Sequence, residues 1–207
     1  MTRTRISRPF ALAALLLLLG ACNVVPPPQD DPTRFFVLSD GGAPARPAEG
    51  GARIALRAVQ VDGYLKRREM VVRTAPNELQ FRDYRRWAEP VDAAINRVLR
   101  EGLLASPGVG AVFTEPFSFD MQADYTLTVT VTRFEGVEEA GRGSARMSAV
   151  FELSTAGSSP RLVARRQFEA PAQAWDGRDF GRLAGLLSAD VAALARQVAS
   201  AIPAGAP

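Results

Sequence analysis

Between positions 125 and 132 the chain alternates without a break. Tyr125, Leu127, Val129 and Val131 fall on one side, and Thr126, Thr128, Thr130 and Thr132 on the other. Period two sets an apolar row against a core and a hydroxyl row toward water or a partner, so this segment is a strand buried on one face. Sheets of that kind are built mainly from antiparallel hairpins and meanders, because parallel crossovers cover both faces. The next stretch agrees. Gly141-Arg142-Gly143 turns the chain, and Met147, Ala149, Phe151 and Leu153 then line the inner face of a second strand. Gly157-Ser158-Ser159-Pro160 turns it again into a third strand over 161–168, completing a meander.

Further strands are expected at 34–39 and 53–61, separated by a loop over 40–52 rich in Gly, Pro and Ala. Residues 69–73 and 78–82 form a hairpin around Thr74-Ala75-Pro76-Asn77, with Pro and Asn supplying the turn. Pro90 opens a helix whose apolar face is Val91, Ala94, Ile95, Val98, Leu99 and Leu103, and Ser106-Pro107-Gly108 stops it. Asp92 in its first turn suits the helix dipole. A second helix starts at Asp179 and runs on to about residue 200. Phe180, Leu183, Ala184, Leu187, Val191, Leu194, Ala195, Val198 and Ile202 recur along it at three- and four-residue spacing, with Asp176 and Asp179 as caps. No internal repeat is visible. Runs of strands with two amphipathic helices define an α+β fold, an antiparallel sheet with both helices packed on one face.

Composition narrows the chemistry. The 207 residues include no His and one Cys. A Ser-His-Asp triad, a Cys-His pair and an imidazole base are therefore excluded, zinc loses its commonest ligands, and no disulfide forms within one chain. Paired carboxylates remain open to such a chain. Asp120, Asp124, Glu135, Glu138 and Glu139 are the candidates, but a glycosidase needs two acids about 5–9 Å apart in a cleft, and these read as solvated charges near strand ends. Gly141-Arg142-Gly143 is not a phosphate loop, since no lysine follows and no helix opens there. No catalytic residue, cofactor or metal is expected.

The N-terminus reads as an export signal. Arg3, Arg5 and Arg8 precede an uncharged apolar stretch over 10–19, too short to span a bilayer. It ends in Leu19-Gly20-Ala21-Cys22, which looks like a bacterial lipobox, where cleavage precedes a diacylglycerol-modified Cys. The alternative is an ordinary signal peptide with Cys22 a stray thiol. Removing residues 1–21 takes three arginines and no acids, leaving 22 basic and 22 acidic residues. A chain with that balance gives no support to nucleic-acid binding. Acyl chains on Cys22 would hold the protein at a membrane without spanning it. Pro26-Pro27-Pro28 makes the following stretch a semi-stiff spacer. The expected plan is a signal peptide (1–21), lipidated Cys22 with a Pro-rich tether (22–33), one domain (34–203) and a disordered tail (204–207).

The stretch 62–90 carries a family resemblance. Tyr64-Leu65-Lys66-Arg67, an extended segment ending at the Thr74–Asn77 turn, and Arg86-Trp87-Ala88-Glu89-Pro90 opening a helix resemble the ABC-type transport auxiliary lipoproteins, the PqiC-like family. Phe35-Phe36-Val37-Leu38 fits that family's opening strand. The resemblance implies an α+β fold, self-association, and a non-catalytic accessory role for an ABC transporter with an MCE-domain subunit that moves lipids between inner and outer membranes. Asn23 after the Cys, where Asp would retain an enteric lipoprotein in the inner membrane, implies the outer membrane, facing the periplasm.

The family-motif residues Tyr64, Leu65, Arg67, Arg86, Trp87, Glu89 and Pro90 are candidates for partner contact. Each also has a plain structural reading. Trp87 would pack at the helix start with Glu89 near its free amides, Tyr64 and Leu65 would fold back on the core, and the arginines would be solvated or meet phospholipid headgroups. A lipoprotein regulating a cell-wall synthase, or a carboxylate hydrolase, is the other class of function such a chain would serve.

Overall fold

The computed structural model describes residues 30–39 and 47–203. The expected signal peptide, Cys22, most of the tether, part of the 40–52 loop and the 204–207 tail lie outside the described residues. The chain divides into two units, Met1–Pro32 and Thr33–Pro207. Of the first, only residues 30–32 are described, and they are exposed and without regular structure.

Among its described residues the second unit holds ten strands and two helices. In order they are β1 (Arg34–Phe36), β2 (Ala52–Leu56), β3 (Gln60–Val61), a 3-10 turn (Gly63–Lys66), β4 (Glu69–Ala75), β5 (Glu78–Trp87), α1 (Val91–Leu104), β6 (Val109–Thr114), β7 (Tyr125–Glu139), β8 (Arg142–Thr155), β9 (Leu162–Glu169), β10 (Gln173–Trp175) and α2 (Phe180–Ala199). This is the α+β class, with a mixed sheet. The β7–β8–β9 meander and the β4–β5 hairpin are antiparallel.

β7 organises the rest. One edge pairs with β8 over its whole length, from Tyr125↔Thr155 to Glu139↔Arg142. The other is shared end to end by three short strands running parallel to it: β2 at 125–127, β3 at 130–131 and β4 at 136–137. β5 continues outward from β4, and β1 closes that side by parallel pairing, Phe35 opposite Arg86 and Phe36 opposite Trp87. β6 closes the other side beside β2. The hairpin turn between β7 and β8 is Ala140-Gly141, both at positive φ (48° and 75°), the geometry a tight two-residue hairpin demands and glycine supplies at no steric cost.

The core follows the sequence pattern. Leu127, Val129 and Val131 on β7, Ala149, Phe151 and Leu153 on β8, and Ala94, Ile95, Leu99 and Leu103 on α1 are all fully buried. Each large aliphatic or aromatic side chain so buried contributes roughly 1.5–3 kcal/mol, offset by the entropy of ordering it. Helices α1 and α2 touch closely where a Cβ added at Gly102 would lie 2.8 Å from Ala195 Cβ. Asp179 caps α2, accepting the Arg182 N–H at 2.9 Å, and Asp176 accepts the amides of Arg178 and Asp179.

Several elements differ from expectation. The 53–61 strand is two pieces: the Arg57 amide still donates to the Leu127 carbonyl, but Glu115 takes the Ala58 amide and the Arg57 Nε, and Asn96 donates to the Arg57 carbonyl, so the ladder breaks over 58–59. The first strand stops at Phe36 rather than reaching residue 39. Pro90 is the N-cap, with Val91 the first helical residue. β7 runs on to Glu139 past a register shift between Val131 and Arg133. Strands β6 and β10 were not expected. Ile202 lies beyond the end of α2, half-buried against the core.

Candidate functional site

Within the 62–90 segment, three of the seven motif side chains, Tyr64, Leu65 and Trp87, point inward. Tyr64 sits in the 3-10 turn, half-buried. Its hydroxyl lies 3.0 Å from the Thr132 carbonyl and 2.9 Å from Glu135 Oε2 and donates its one proton to that pair. Burial, and then the Glu135 carboxylate, raise the Tyr64 pKa, so the hydroxyl keeps its proton. Leu65 is in the core. Trp87 is 4% exposed, with its ring centroid 5.8 Å from that of Phe134 and its amide donating to the Arg68 carbonyl at 2.7 Å. Glu89 accepts from Arg97 Nη2 at 2.6 Å while the same nitrogen donates to the Leu38 carbonyl, pinning α1 to the chain after β1.

The motif arginines lie nearer the surface. The Arg67 guanidinium sits 4.4 Å above the Phe81 ring and 3.6 Å from Glu69. Arg86 reaches the other oxygen of Glu69 at 3.8 Å and the Asp83 carbonyl at 3.1 Å. Such partly solvated pairs contribute well under about 1 kcal/mol each.

The strongest electrostatic feature was not anticipated as a unit. Glu135 is 1% exposed, yet it accepts Arg73 Nε at 2.6 Å and Nη2 at 3.2 Å as well as the Tyr64 hydroxyl. The hydrogen bond to Glu135 raises the Arg73 pKa further, so the pair is a fixed ion pair. Of the other acids considered for catalysis, Glu138 and Glu139 share the far end of β7 with Glu135, while Asp120 and Asp124 lie before its start. Asp124 accepts the Arg53 amide at 2.8 Å and Nη2 at 2.7 Å, and Arg53 lowers its pKa. Glu138 pairs with Arg82 at 3.2 Å. Asp124 just precedes β7 and Glu135 lies eleven residues on, about 35 Å along a strand, far beyond the spacing of a glycosidase pair. Among the described residues no group of three or more His, Cys, Asp or Glu side chains is placed to hold a metal. None of the helices there is long and apolar enough to cross a membrane.

A concavity of about 390 Å³ lies between the β4–β5 turn and the tip of the β7–β8 hairpin, walled by Arg73, Pro76, Arg133, Val137, Glu139 and Arg146. A different kind of surface lies at the β1 edge, where Phe35 is 60% exposed, Val37 58% and Tyr84 53%. Phe35 and Val37 were expected in the opening strand without a face assigned to them, and Tyr84 carried no expectation. The alternation Phe35, Phe36, Val37 was the available signal, because Phe36 packs on Phe180 and its neighbours must face away.

The described unit is an α+β domain in which Leu65 and Trp87 pack in the core and Glu89, through Arg97, ties α1 to the chain after β1. The family model for the ABC-type transport auxiliary lipoprotein component matches residues 36–199, and the chain belongs to that family. Solved structures share the fold. Protein XCC0632 from Xanthomonas campestris, of family DUF330, is 20% identical, with 81% of this chain and 89% of that one covered at a TM-score of 0.62. An uncharacterized protein is 22% identical, with 83% and 99% covered and a TM-score of 0.62. A PelC dodecamer from Paraburkholderia phytofirmans is more distant, 16% identical over 76% and 90%, with a TM-score of 0.47. No curated protein matches the sequence.

Proposed function

We propose that this protein is a lipoprotein held by acylated Cys22 in the outer membrane, facing the periplasm, and that it serves without catalysis as the accessory subunit of an MCE-type lipid transporter. The observation that carries the reading is the family match across the folded unit, from 36 to 199, behind a lipobox-like Leu19-Gly20-Ala21-Cys22. Residues 1–21 are then a removed signal, 22–33 a leash, 34–203 the working domain and 204–207 a tail. The inward-facing motif residues Leu65 and Trp87 would shape the partner surface from behind, while Arg67 and Arg86 remain accessible for contact. Self-association is part of this reading.

Crosslinking in intact cells followed by purification tests it: an MCE-domain subunit is the expected partner. Recovery of a cell-wall synthase in its place would overturn the assignment. Cys22→Ala should move the protein from the membrane fraction to the soluble periplasm, and wild-type protein that is already soluble refutes the anchor.

A further inference from the structure

Two of the exposed large apolar side chains among the described residues, Phe119 and Leu162, lie at the end of the sheet where β7 begins. Strand pairing there runs Phe113–Ala55–Thr126–Ser154–Leu162 straight across β6, β2, β7, β8 and β9, a row about 19 Å long. The residues beside it along the strands, Val112, Leu56, Leu127 and Leu153, are in the core, so the row lies on the opposite face. Ala55 (itself buried), Thr126 and Ser154 are small and separate Phe113 at one end from Leu162 at the other. The loop between β6 and β7 adds to the phenylalanine end. Residues Ser118 to Met121 form a turn closed by the Met121 amide donating to the Ser118 carbonyl at 3.1 Å, which leaves Phe119 fully exposed at the tip. Phe113, Phe117 and Met121, half-buried but packed outside the main core, wall a hollow of about 400 Å³ beside it. Both ends of the loop are fastened. Glu115 accepts from Arg57 Nε at 3.1 Å and the Ala58 amide at 3.3 Å, and Asp124 accepts the Arg53 amide at 2.8 Å and Nη2 at 2.7 Å. An apolar tip held this way need not be ordered on contact, which lowers the cost of binding.

Charges around the row cancel. Arg53 pairs with Asp124, Arg57 with Glu115 and Arg165 with Glu152. Glu49 before β2 and Arg166, in register with buried Phe151, add one charge of each sign. That leaves Asp120 at the phenylalanine end and Arg161 beside Leu162, both exposed and without an ion-pair partner among the described residues. A neutral apolar surface has no preference for anionic headgroups, and one with an acid at one end and a base at the other is complementary to itself turned end for end. At about 150–250 Å² per ring, one fully exposed and two half-exposed phenylalanines supply roughly 300–500 Å² per copy. Met121 and Leu162 carry this toward the roughly 600 Å² a side at the low end of specific interfaces. We propose that this face is the contact between two copies of the chain, related by a two-fold axis with their rows antiparallel. Phe119 of each copy lies against the partner's Leu162, and Asp120 pairs with the partner's Arg161. This contact is the self-association included in the reading above and rests on that part of it; neither the anchor nor the transporter enters its test.

The mature chain from residue 22, carrying Cys22→Ser, has no acyl group and keeps the whole folded unit. In sedimentation velocity over a concentration series it should pass reversibly from monomer to dimer in the micromolar range. Phe119→Ser, and separately Leu162→Ser, should raise the dimer dissociation constant about tenfold at unchanged Tm, both side chains lying outside the core. Asp120→Arg and Arg161→Asp should each raise it roughly fivefold, and the two together should return it close to the wild-type value. A chain that stays monomeric, a dimer indifferent to Phe119→Ser, or a charge swap that fails to recover affinity overturns the proposal. So does a larger assembly as the first associated species, the product of head-to-tail contact. If the monomer instead sediments with phosphatidylcholine vesicles and Phe119→Ser releases it, a bilayer is the occupant and the two-fold contact is refuted. Anchoring stands or fails on the acylation of wild-type Cys22, and transporter association on crosslinking, both read separately.

Discussion

Arg73→Met isolates the most consequential polar contact in the fold. The substitution keeps most of the side-chain stem and removes the guanidinium that gives Glu135 two hydrogen bonds, at 2.6 and 3.2 Å. Glu135 is then left 1% exposed with only the Tyr64 hydroxyl. Removing one member of a buried pair costs about 3–5 kcal/mol, because the remaining charge loses its partner without regaining water. The Arg73 side chain is 16% exposed, so the lower end, about 3 kcal/mol, is expected. Urea unfolding followed by the fluorescence of Trp87 and Trp175, both buried, measures it. With a slope of about 2 kcal/mol per molar urea, the midpoint should fall by about 1.5 M at unchanged slope. Replacing both partners, Arg73→Met with Glu135→Leu, should recover much of the loss, since an apolar pair removes the stranded charge along with its partner. Strictly additive effects, or a single substitution costing under about 1 kcal/mol, would refute the ion-pair argument.

Two further substitutions probe other parts of the fold. Asp190 is 2% exposed, with one oxygen accepting from Gln173 at 2.6 Å and the other without a partner, and burial pushes its pKa up to about 6. A folded pKa above the unfolded value of 3.8 favours the native state when the carboxyl is protonated, and that advantage disappears as pH rises through about 6. Asp190→Asn should therefore gain on wild type by about 1–2 kcal/mol between about pH 5 and 7.5 in urea titrations, and equal differences at both pH values would count against it. At Gly143 an added Cβ would overlap the Trp175 carbonyl oxygen where β10 pairs with β8. Gly143→Val should lower Tm by roughly 5–10 °C, for a cost of about 2–3 kcal/mol, whereas a shift under about 2 °C would show that β10 yields without strain.

What the sequence by itself determined is everything set by short-range repetition. The alternation from Tyr125 to Val131 fixed which side of β7 is buried, because pleat geometry sends successive side chains to opposite faces whatever the partner. Helical spacing did the same for α1 from Val91 to Leu103, and Asp179 placed the start of α2 through a local hydrogen bond. The motif over 62–90 carried the family through residue identity. It did not reveal that Leu65 and Trp87 face the core, since a Leu or Trp beside arginines reads equally well as buried or exposed. Tertiary structure decided what depends on distant partners. β6 and β10 are too short to declare a period and exist because β2 and β8 offer free edges. The parallel match of β1 with β5 joins residues about fifty apart. Glu135 looked like one of several solvated acids, and only the fold brings in a cation 62 positions away to make its burial tolerable. Periodicity is a property of neighbouring residues, whereas pairing across the sheet and compensation of buried charge are properties of space.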